Sequence, residues 1–402
     1  MFYGWRVVAG GFVAQLFTLG FFAYSASLFV APVRAEFGTS LEQVLYSLSA
    51  GTFLGMLITP IAGIMIDRFP VRLLMVVGTL IFSGGLWAIA QSTSITQFIV
   101  LFGFTMALSN GFAGSMSAST VISRWFTVSR GRALGVAALG TSIGGIIIPK
   151  MISSQLGEYG WRGALEHLAL WSLLVMLPVI IFTVRGKPSD VGLSAEANNS
   201  ASQSSIDMEK PVSLKEILTN PAYWFLGLSL GILFSAYSAV LANLSPYAIN
   251  LGQTESKAAG LIMTIAIAGI VGKLAFGFAA DKFSLKAGLA VAQCFVIAGL
   301  LILSLENTSY AYMVVASGTM GLAAGGMLPI WGAMTVHIFG LANYGKAMGL
   351  ISPIITLCIL PGYTVIGRLY DSSGSYSSAL VLFAGAMVVA ILLLIPLKLR
   401  EH

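Results

Sequence analysis

Lys273 is the residue from which chemistry can first be argued. It lies in the stretch Gly260 to Lys286, an apolar run long enough to cross a bilayer, with no acid beside it in the run, which closes on Asp281 and Lys282. A cation inside a membrane span costs about 2.5–3.5 kcal/mol on insertion scales, so such a residue normally faces a cavity or a partner. An anion site is the reading this favours, because the central spans hold almost no acid to pair with it. Two others stay open. Lys273 stands only about two helical turns from Asp281 and could snorkel to the nearer interface, or it could pair with an acid on another helix.

The remaining ionisable residues of the apolar runs lie near their ends. Lys150, in Pro149-Lys150-Met151, reads as a snorkelling residue, with a second anion contact as the alternative. Glu166 and His167 read as a structural pair near the headgroups rather than a proton relay, and His337 as a helix-end residue. Cys294 and Cys358 sit singly in apolar runs and give neither a disulfide framework nor a metal site. There is no Walker-type phosphate loop, catalytic triad or metal cluster. The chain is therefore expected to be no enzyme and to carry no cofactor and no metal.

The elements that position Lys273 follow from composition. Of 402 residues 57% are hydrophobic and 9% charged, against roughly a quarter charged in soluble domains, and the mean hydropathy is +0.90. This is the composition of a polytopic protein of the lipid bilayer. The 21 Lys and Arg against 15 Asp and Glu are explained by topology rather than by nucleic acid. The first run, Trp5 to Val30, lacks a basic leader and a small-residue cleavage site, and reads as a retained span.

At about 20 apolar residues per span, twelve spans are predicted at roughly 5–30, 43–66, 72–91, 96–122, 131–153, 163–184, 221–249, 257–280, 286–305, 309–338, 345–369 and 377–397. The polar stretch Arg185 to Asn220, with SAEANNSASQSS, reads as a flexible linker. It divides the chain into a six-helix bundle over 1–184, a linker over 185–220 and a second six-helix bundle over 221–402. With the N-terminus inside, most basic residues fall on the inner side. Only Arg34, Arg162, Lys257 and Arg368 fall outside, with Lys150 close to that side. The positive-inside rule then makes both termini and the linker cytoplasmic.

The halves repeat. Gly63-x-x-x-Asp67-Arg68 with Arg72 recurs as Gly277-x-x-x-Asp281-Lys282 with Lys286. The offset that carries Asp67 onto Asp281 also carries Pro32 onto Pro246, and Gly131-Arg132-Ala133-Leu134-Gly135 onto Gly345-Lys346-Ala347-Met348-Gly349. Three sites in register argue for duplication. Two pseudo-symmetric six-span halves form the parallel-repeat plan of a rocking transporter, with substrate near the midplane. Asp67 and Asp281, beside their basic neighbours in short inner loops, read as latches between helix ends.

These loops resemble the signature of the major facilitator superfamily, with Pro70 and Ser284 where its loop usually has glycine. Tyr3-Gly4-Trp5-Arg6, Glu36-Phe37-Gly38, Arg124-Trp125-Phe126, Tyr159-Gly160-Trp161-Arg162, Pro188-Ser189-Asp190-Val191-Gly192-Leu193 and Asn220-Pro221-Ala222-Tyr223-Trp224 extend the likeness. Together they resemble the bacterial monocarboxylate transporter and oxalate–formate antiporter group over nearly the whole chain.

The resemblance implies an all-α membrane protein of twelve transmembrane helices, in the bacterial inner (plasma) membrane, expected as a monomer. In that group a basic residue of span eight, usually arginine, pairs with the substrate carboxylate, and Lys273 stands in its place. Lysine offers a point charge instead of a planar fork. The aspartate that proton-coupled members carry one turn earlier is here Gly269, and a lysine of span one is here Tyr24 or Ser25. A co-transported proton would then have to be exchanged by Lys273 itself. Spans one, four, seven and ten line the cavity in this fold, which adds Tyr24, Ser25, Asn110, Asn243, Tyr237 and Trp331 as hydrogen-bonding candidates. Each has a purely structural alternative in bonding across helices. The inner gate is expected at Asp67, Arg68, Arg72, Asp281, Lys282, Lys286, Arg132 and Lys346. The function implied is secondary transport of a small organic anion, a monocarboxylate in the first place. A carrier of a dicarboxylate or a drug-like amphiphile, and a non-transporting membrane sensor, are the alternatives.

Overall fold

The computed structural model describes residues 2–126, 129–193, 213–280, 284–340 and 344–397. The expected gate residues Asp281 and Lys282 lie outside the described residues, as do the side chains of Asp67 and Lys346. The chain forms two compact units. One comprises Met1–Asn199, Leu244–Ile249 and Thr254–Met263, the other Ser200–Asn243, Asn250–Gln253 and Thr264–His402.

The first unit begins with α1 (Gly4–Leu19), a π-helical turn (Gly20–Ser25) and α2 (Ser27–Phe37), which run on from one another as span one. α3 (Leu41–Arg68) starts at a capping box between Ser40 and Gln43, the reciprocal arrangement that satisfies two orphan amides. α4 (Val71–Ala90) starts behind Pro70, which cannot continue the preceding helix. The predicted span four is two helices, α5 (Ile95–Ala113) and α6 (Ser115–Trp125), broken at Gly114 with an extended ψ of −156°. α7 (Arg130–Trp171) holds spans five and six in one run, interrupted at Gly160 (φ 66°, ψ −179°), a conformation that favours glycine. A second π-helical turn (Ser172–Met176) and α8 (Leu177–Thr183) complete span six.

The short α9 (Leu214–Thr219) precedes α10 (Pro221–Asn250), α11 (Glu255–Ala280), α12 (Leu285–Ser304), α13 (Tyr310–Phe339), α14 (Tyr344–Ser373) and α15 (Ser377–Leu392). Among the described residues ten helical runs are long and apolar enough to cross a bilayer. Arg132–Thr183 is one run of 52 residues that Gly160 divides in two, and the apolar Ser377–Leu392 falls just short in length. Twelve spans result. Large apolar side chains such as Leu174, Phe182, Leu274 and Ile395 face outward, as a lipid-facing surface requires.

The duplication is visible in the packing. In the first unit Gly111 meets Ile58 and Ala62, and in the second Gly325 meets Gly272 and Gly326 meets Phe276. Under the offset of the repeat, positions 58, 62 and 111 become 272, 276 and 325. The left-handed Gly160 likewise has its counterpart in Gly374 (φ 70°). Polar side chains bridge helices inside each unit: Ser83 and Ser172 share a 2.6 Å hydrogen bond, and Gln293 donates to Ser229, which donates to the Ala390 carbonyl, both at 2.8 Å.

Candidate functional site

Lys273 is held where two helices touch backbone to backbone. A Cβ on Gly272 would overlap the Leu322 carbonyl, and one on Gly325 would overlap both the Gly269 carbonyl and the Lys273 amide nitrogen. Small residues on both helices permit this approach. α11 has 26 residues, about 39 Å, and Lys273 lies about 10 Å along the helix from Ala280. Its side chain is half-buried. At Gly269 a Cβ would stand 3.5 Å from the Gly321 carbonyl oxygen, an ordinary contact, so the packing does not by itself demand glycine there.

The hydrogen-bonding candidates divide between the units. In the second, Tyr237, Asn243 and Trp331 are buried, and the Trp331 ring lies 6.1 Å from that of Phe234. In the first, Tyr24 and Ser25 are buried and Asn110 half-buried. Asn110 and Asn243 each donate Nδ2 to the carbonyl four residues back, Met106 at 2.9 Å and Ala239 at 2.8 Å. Among the described residues the Oδ1 of both and the indole N–H of Trp331 are buried without a partner. A buried polar atom left in that state costs about 1–3 kcal/mol, and an unmet ligand is one standard cause. Ser25 is different, since its hydroxyl donates to the Gly20 carbonyl at 3.2 Å and thereby spans the π-helical turn.

The backbone is irregular where the first-unit candidates sit. Tyr24 and Ser25 close the π-helical turn, and Asn110 accepts the Gly114 amide at 3.0 Å at the break between α5 and α6. Gly20 in that turn lies so close to Gly144 that a Cβ would come within 2.7 Å of its Cα. Such turns are frequent at functional sites. Hydropathy alone carries no signal for them.

Of the expected gate residues, Arg68 and Arg132 are exposed and Arg72 is half-buried. Lys286 points its ammonium at the Ile395 carbonyl, 3.4 Å away, beyond the end of α15. Lys150 is exposed, and the Glu166 carboxylate accepts from Gln91 at 2.6 Å, while His167 packs on the Tyr159 ring at 4.7 Å.

Two loop clasps stand at the opposite end of each unit from these gate loops. In the first, Arg162 reaches Glu36 through Nε at 3.1 Å and Nη2 at 2.6 Å, the Ser92 carbonyl at 2.7 Å and the Ala90 carbonyl. The Trp161 indole donates to the other Glu36 oxygen, and the guanidinium lies 4.4 Å over the Trp161 ring. Burial raises the Glu36 pKa, but the hydrogen bonds from Arg162 and Trp161 and the Arg162 charge outweigh it and leave the carboxyl below its ordinary range. In the second, Glu306 (φ 46°) accepts from the Ser375 hydroxyl and the Tyr376 amide, both at 2.8 Å. A cation does in one unit what a carboxylate does in the other. Positions 375 and 376 are those of 161 and 162 under the offset that carries Asp67 onto Asp281.

With a duplicated helical fold, a cation within a span and buried polar groups lacking partners, the molecule has the features of a membrane carrier. The sequence profile of the Major Facilitator Superfamily matches residues 11–272 and 251–402, and the chain belongs to that family. It is 26% identical to Monocarboxylate transporter 12 of Rattus norvegicus over 98% of this chain and 85% of the relative. It is also 24% identical to the Agnestins efflux protein AgnL12 of Paecilomyces divaricatus, over 85% and 75%. Among solved structures it is similar to the nucleoside transporter NupG (TM-score 0.77, 12% identity, 99% and 100% covered). A bacterial homologue of the human lysosomal transporter Spinster is also similar (TM-score 0.71, 16% identity, 97% and 96% covered). The protein is thus a multi-pass membrane transporter, and a transporter of this family is not an enzyme.

Proposed function

We propose that the protein carries a small organic anion, a monocarboxylate in the first place, across the bacterial inner membrane by alternating access, with both termini cytoplasmic. The observation that carries this is Lys273, a cation inside a span, its backbone pinned by the glycine contact of α11 with α13. The relatives named monocarboxylate transporters support it. Lys273 neutralises the carboxylate, and Tyr24, Ser25, Asn110, Tyr237, Asn243 and Trp331 supply hydrogen-bonding groups. Asp67, Arg68, Arg72, Asp281, Lys282, Lys286, Arg132 and Lys346 act at the inner gate. The unpartnered Oδ1 atoms of Asn110 and Asn243 favour a solute that also donates a hydrogen bond, such as a 2-hydroxy acid.

Proteoliposome uptake of labelled lactate, pyruvate, formate and oxalate, with and without an imposed pH step, tests this. Lactate should be taken up ahead of formate, Lys273→Gln should abolish uptake, and Lys273→Arg should retain part of it. Uptake undiminished in Lys273→Gln refutes the site, and uptake of none of the acids refutes the substrate class. The relative named as an efflux protein supports a second reading, a larger amphiphile, which export of such a compound without acid uptake would establish.

A further inference from the structure

We propose that a basic cavity in the first unit, at the end where α3 meets α4, binds a phosphate group, presented by a phospholipid headgroup or by a soluble phosphate. The cavity has a volume of about 590 Å³ and is lined by Arg68, Arg72, Arg124, Arg185, Lys187 and Asp190, among others. That volume falls in the range of small-ligand pockets. Its walls come from three separate stretches: the α3–α4 loop, the end of α6 and the segment after α8. This convergence distinguishes it from a row of inner-side cations dispersed in solvent.

Two of the arginines are held by backbone carbonyls. Arg124 donates to the Ile66 carbonyl at 3.4 Å, and Arg185 donates to the Ile181 and Val184 carbonyls at 3.1 and 3.0 Å. The Trp125 indole donates to the Arg185 carbonyl at 2.9 Å and ties two of the walls together. Among the described residues Asp190 is the lone carboxylate of the lining, and its Oδ2 accepts the Lys187 amide at 2.9 Å. Among the described residues none of the four arginines has a carboxylate within ion-pair distance. Each guanidinium carries five N–H donors, so most of the forks stay available. Like charges gathered round one space repel one another, and an anion with several acceptor oxygens relieves that repulsion.

Phosphate fits this demand because its unesterified oxygens, two in a lipid diester and up to four in free phosphate, can accept from more than one fork. The lipid source is favoured by Phe69, which lines the cavity and is half-exposed, and by the exposed Leu73 one turn along, which offer an acyl chain a path. The inference uses the first unit alone and is independent of the reading of Lys273.

The full-length protein in nanodiscs of phosphatidylcholine, with or without one quarter phosphatidylglycerol, tests it by apparent unfolding temperature and by counting retained lipid with native mass spectrometry. A parallel arm adds inorganic phosphate or pyrophosphate to the phosphatidylcholine discs at fixed ionic strength. A rise with phosphatidylglycerol that shrinks in high salt identifies the lipid source, and a rise with phosphate alone the soluble one. In Arg72→Gln/Arg185→Gln, binding should fall on the order of tenfold per arginine. Lys215→Gln, an exposed cation elsewhere, should keep the whole gain. If the double variant does not fold, Arg68→Gln and Lys187→Gln taken singly should each lose part of it. No gain from any probe, an undiminished gain in the cavity variants, or an equal loss in Lys215→Gln overturns the proposal.

Discussion

Arg162→Ala tests how the loops opposite the gate end of the first unit are held together. The variant loses two bonds to Glu36 and one each to the carbonyls of Ala90 and Ser92. The side chains of Arg162 and Glu36 are 34% and 42% exposed, so solvent screening limits the ion pair to at most about 1 kcal/mol. The two carbonyls belong to buried residues, and losing a charged donor to each costs about 1 kcal/mol or more. The total is about 3 kcal/mol, most of it from the carbonyls. Glu36→Gln keeps one acceptor oxygen, for Arg162, but turns an amide NH2 toward the Trp161 indole, and should cost about 1–2 kcal/mol. Thermal unfolding in detergent of the two single variants and the double variant closes a cycle whose coupling should stay near about 1 kcal/mol. If Arg162→Ala costs no more than Glu36→Gln, or if the coupling equals the entire Arg162→Ala loss, the carbonyl argument is wrong. The pH dependence has a definite sign. The Glu36 pKa is lowered on folding, so the stabilisation is complete above the unfolded value of about 4.3 and disappears as pH falls through the folded value below it. Glu36→Gln should abolish this acid-side loss.

Glu306→Ala removes the acceptor of Ser375 and Tyr376 and should lower stability by about 2 kcal/mol, read by the same unfolding assay, whereas Glu306→Gln should retain more than half of it. Gly325→Val forces a side chain into the backbone of α11 beside Lys273 and should cost at least about 1–3 kcal/mol, along with acid uptake. Gly349→Ala, with nothing among the described residues within 4 Å of its Cβ position, should be neutral or slightly stabilising. Ser229→Ala strands the buried Gln293 amide, whose Oε1 already lacks a partner among the described residues, and should cost about 1–3 kcal/mol. Gln293→Leu removes that orphan and leaves Ser229 bonded to the Ala390 carbonyl, so it should cost less than Ser229→Ala.

The spans and the duplication were legible because both are written in one-dimensional patterns: apolar run length, and motifs that return in register in the second half. Lys273 was legible because a cation in such a run is expensive wherever it points. The irregular backbone was not. Gly20–Ser25 and Gly114 lie inside the predicted spans one and four, and 45 glycines give no means of choosing the one at a break. Spans five and six are legible as separate, and the break between them falls at Gly160, a positive-φ glycine within the polar stretch from Ser154 to Arg162. Glu36 and Arg162 were both noted as motif residues, yet no local pattern pairs positions 126 residues apart. The basic loop residues were read as topology, and their convergence on one cavity depends on the Trp125 to Arg185 bond, a tertiary fact.

One tight crossing of the duplicated fold places its glycines on opposite partners in the two units. In the first unit Gly140 and Gly144 of α7 admit the α1 backbone at Phe12 and Leu16, whereas in the second Gly227 and Gly231 of α10 receive the side chains of Ile354 and Cys358 of α14. Under the offset of the repeat, 140 and 144 correspond to 354 and 358. What the two halves share at this crossing is its combined bulk, whichever helix supplies the small member. Drift along such a constraint proceeds by compensated exchanges, so a comparison of the halves position by position understates their kinship, and grafting a residue from one half into the other without its opposite number should harm both.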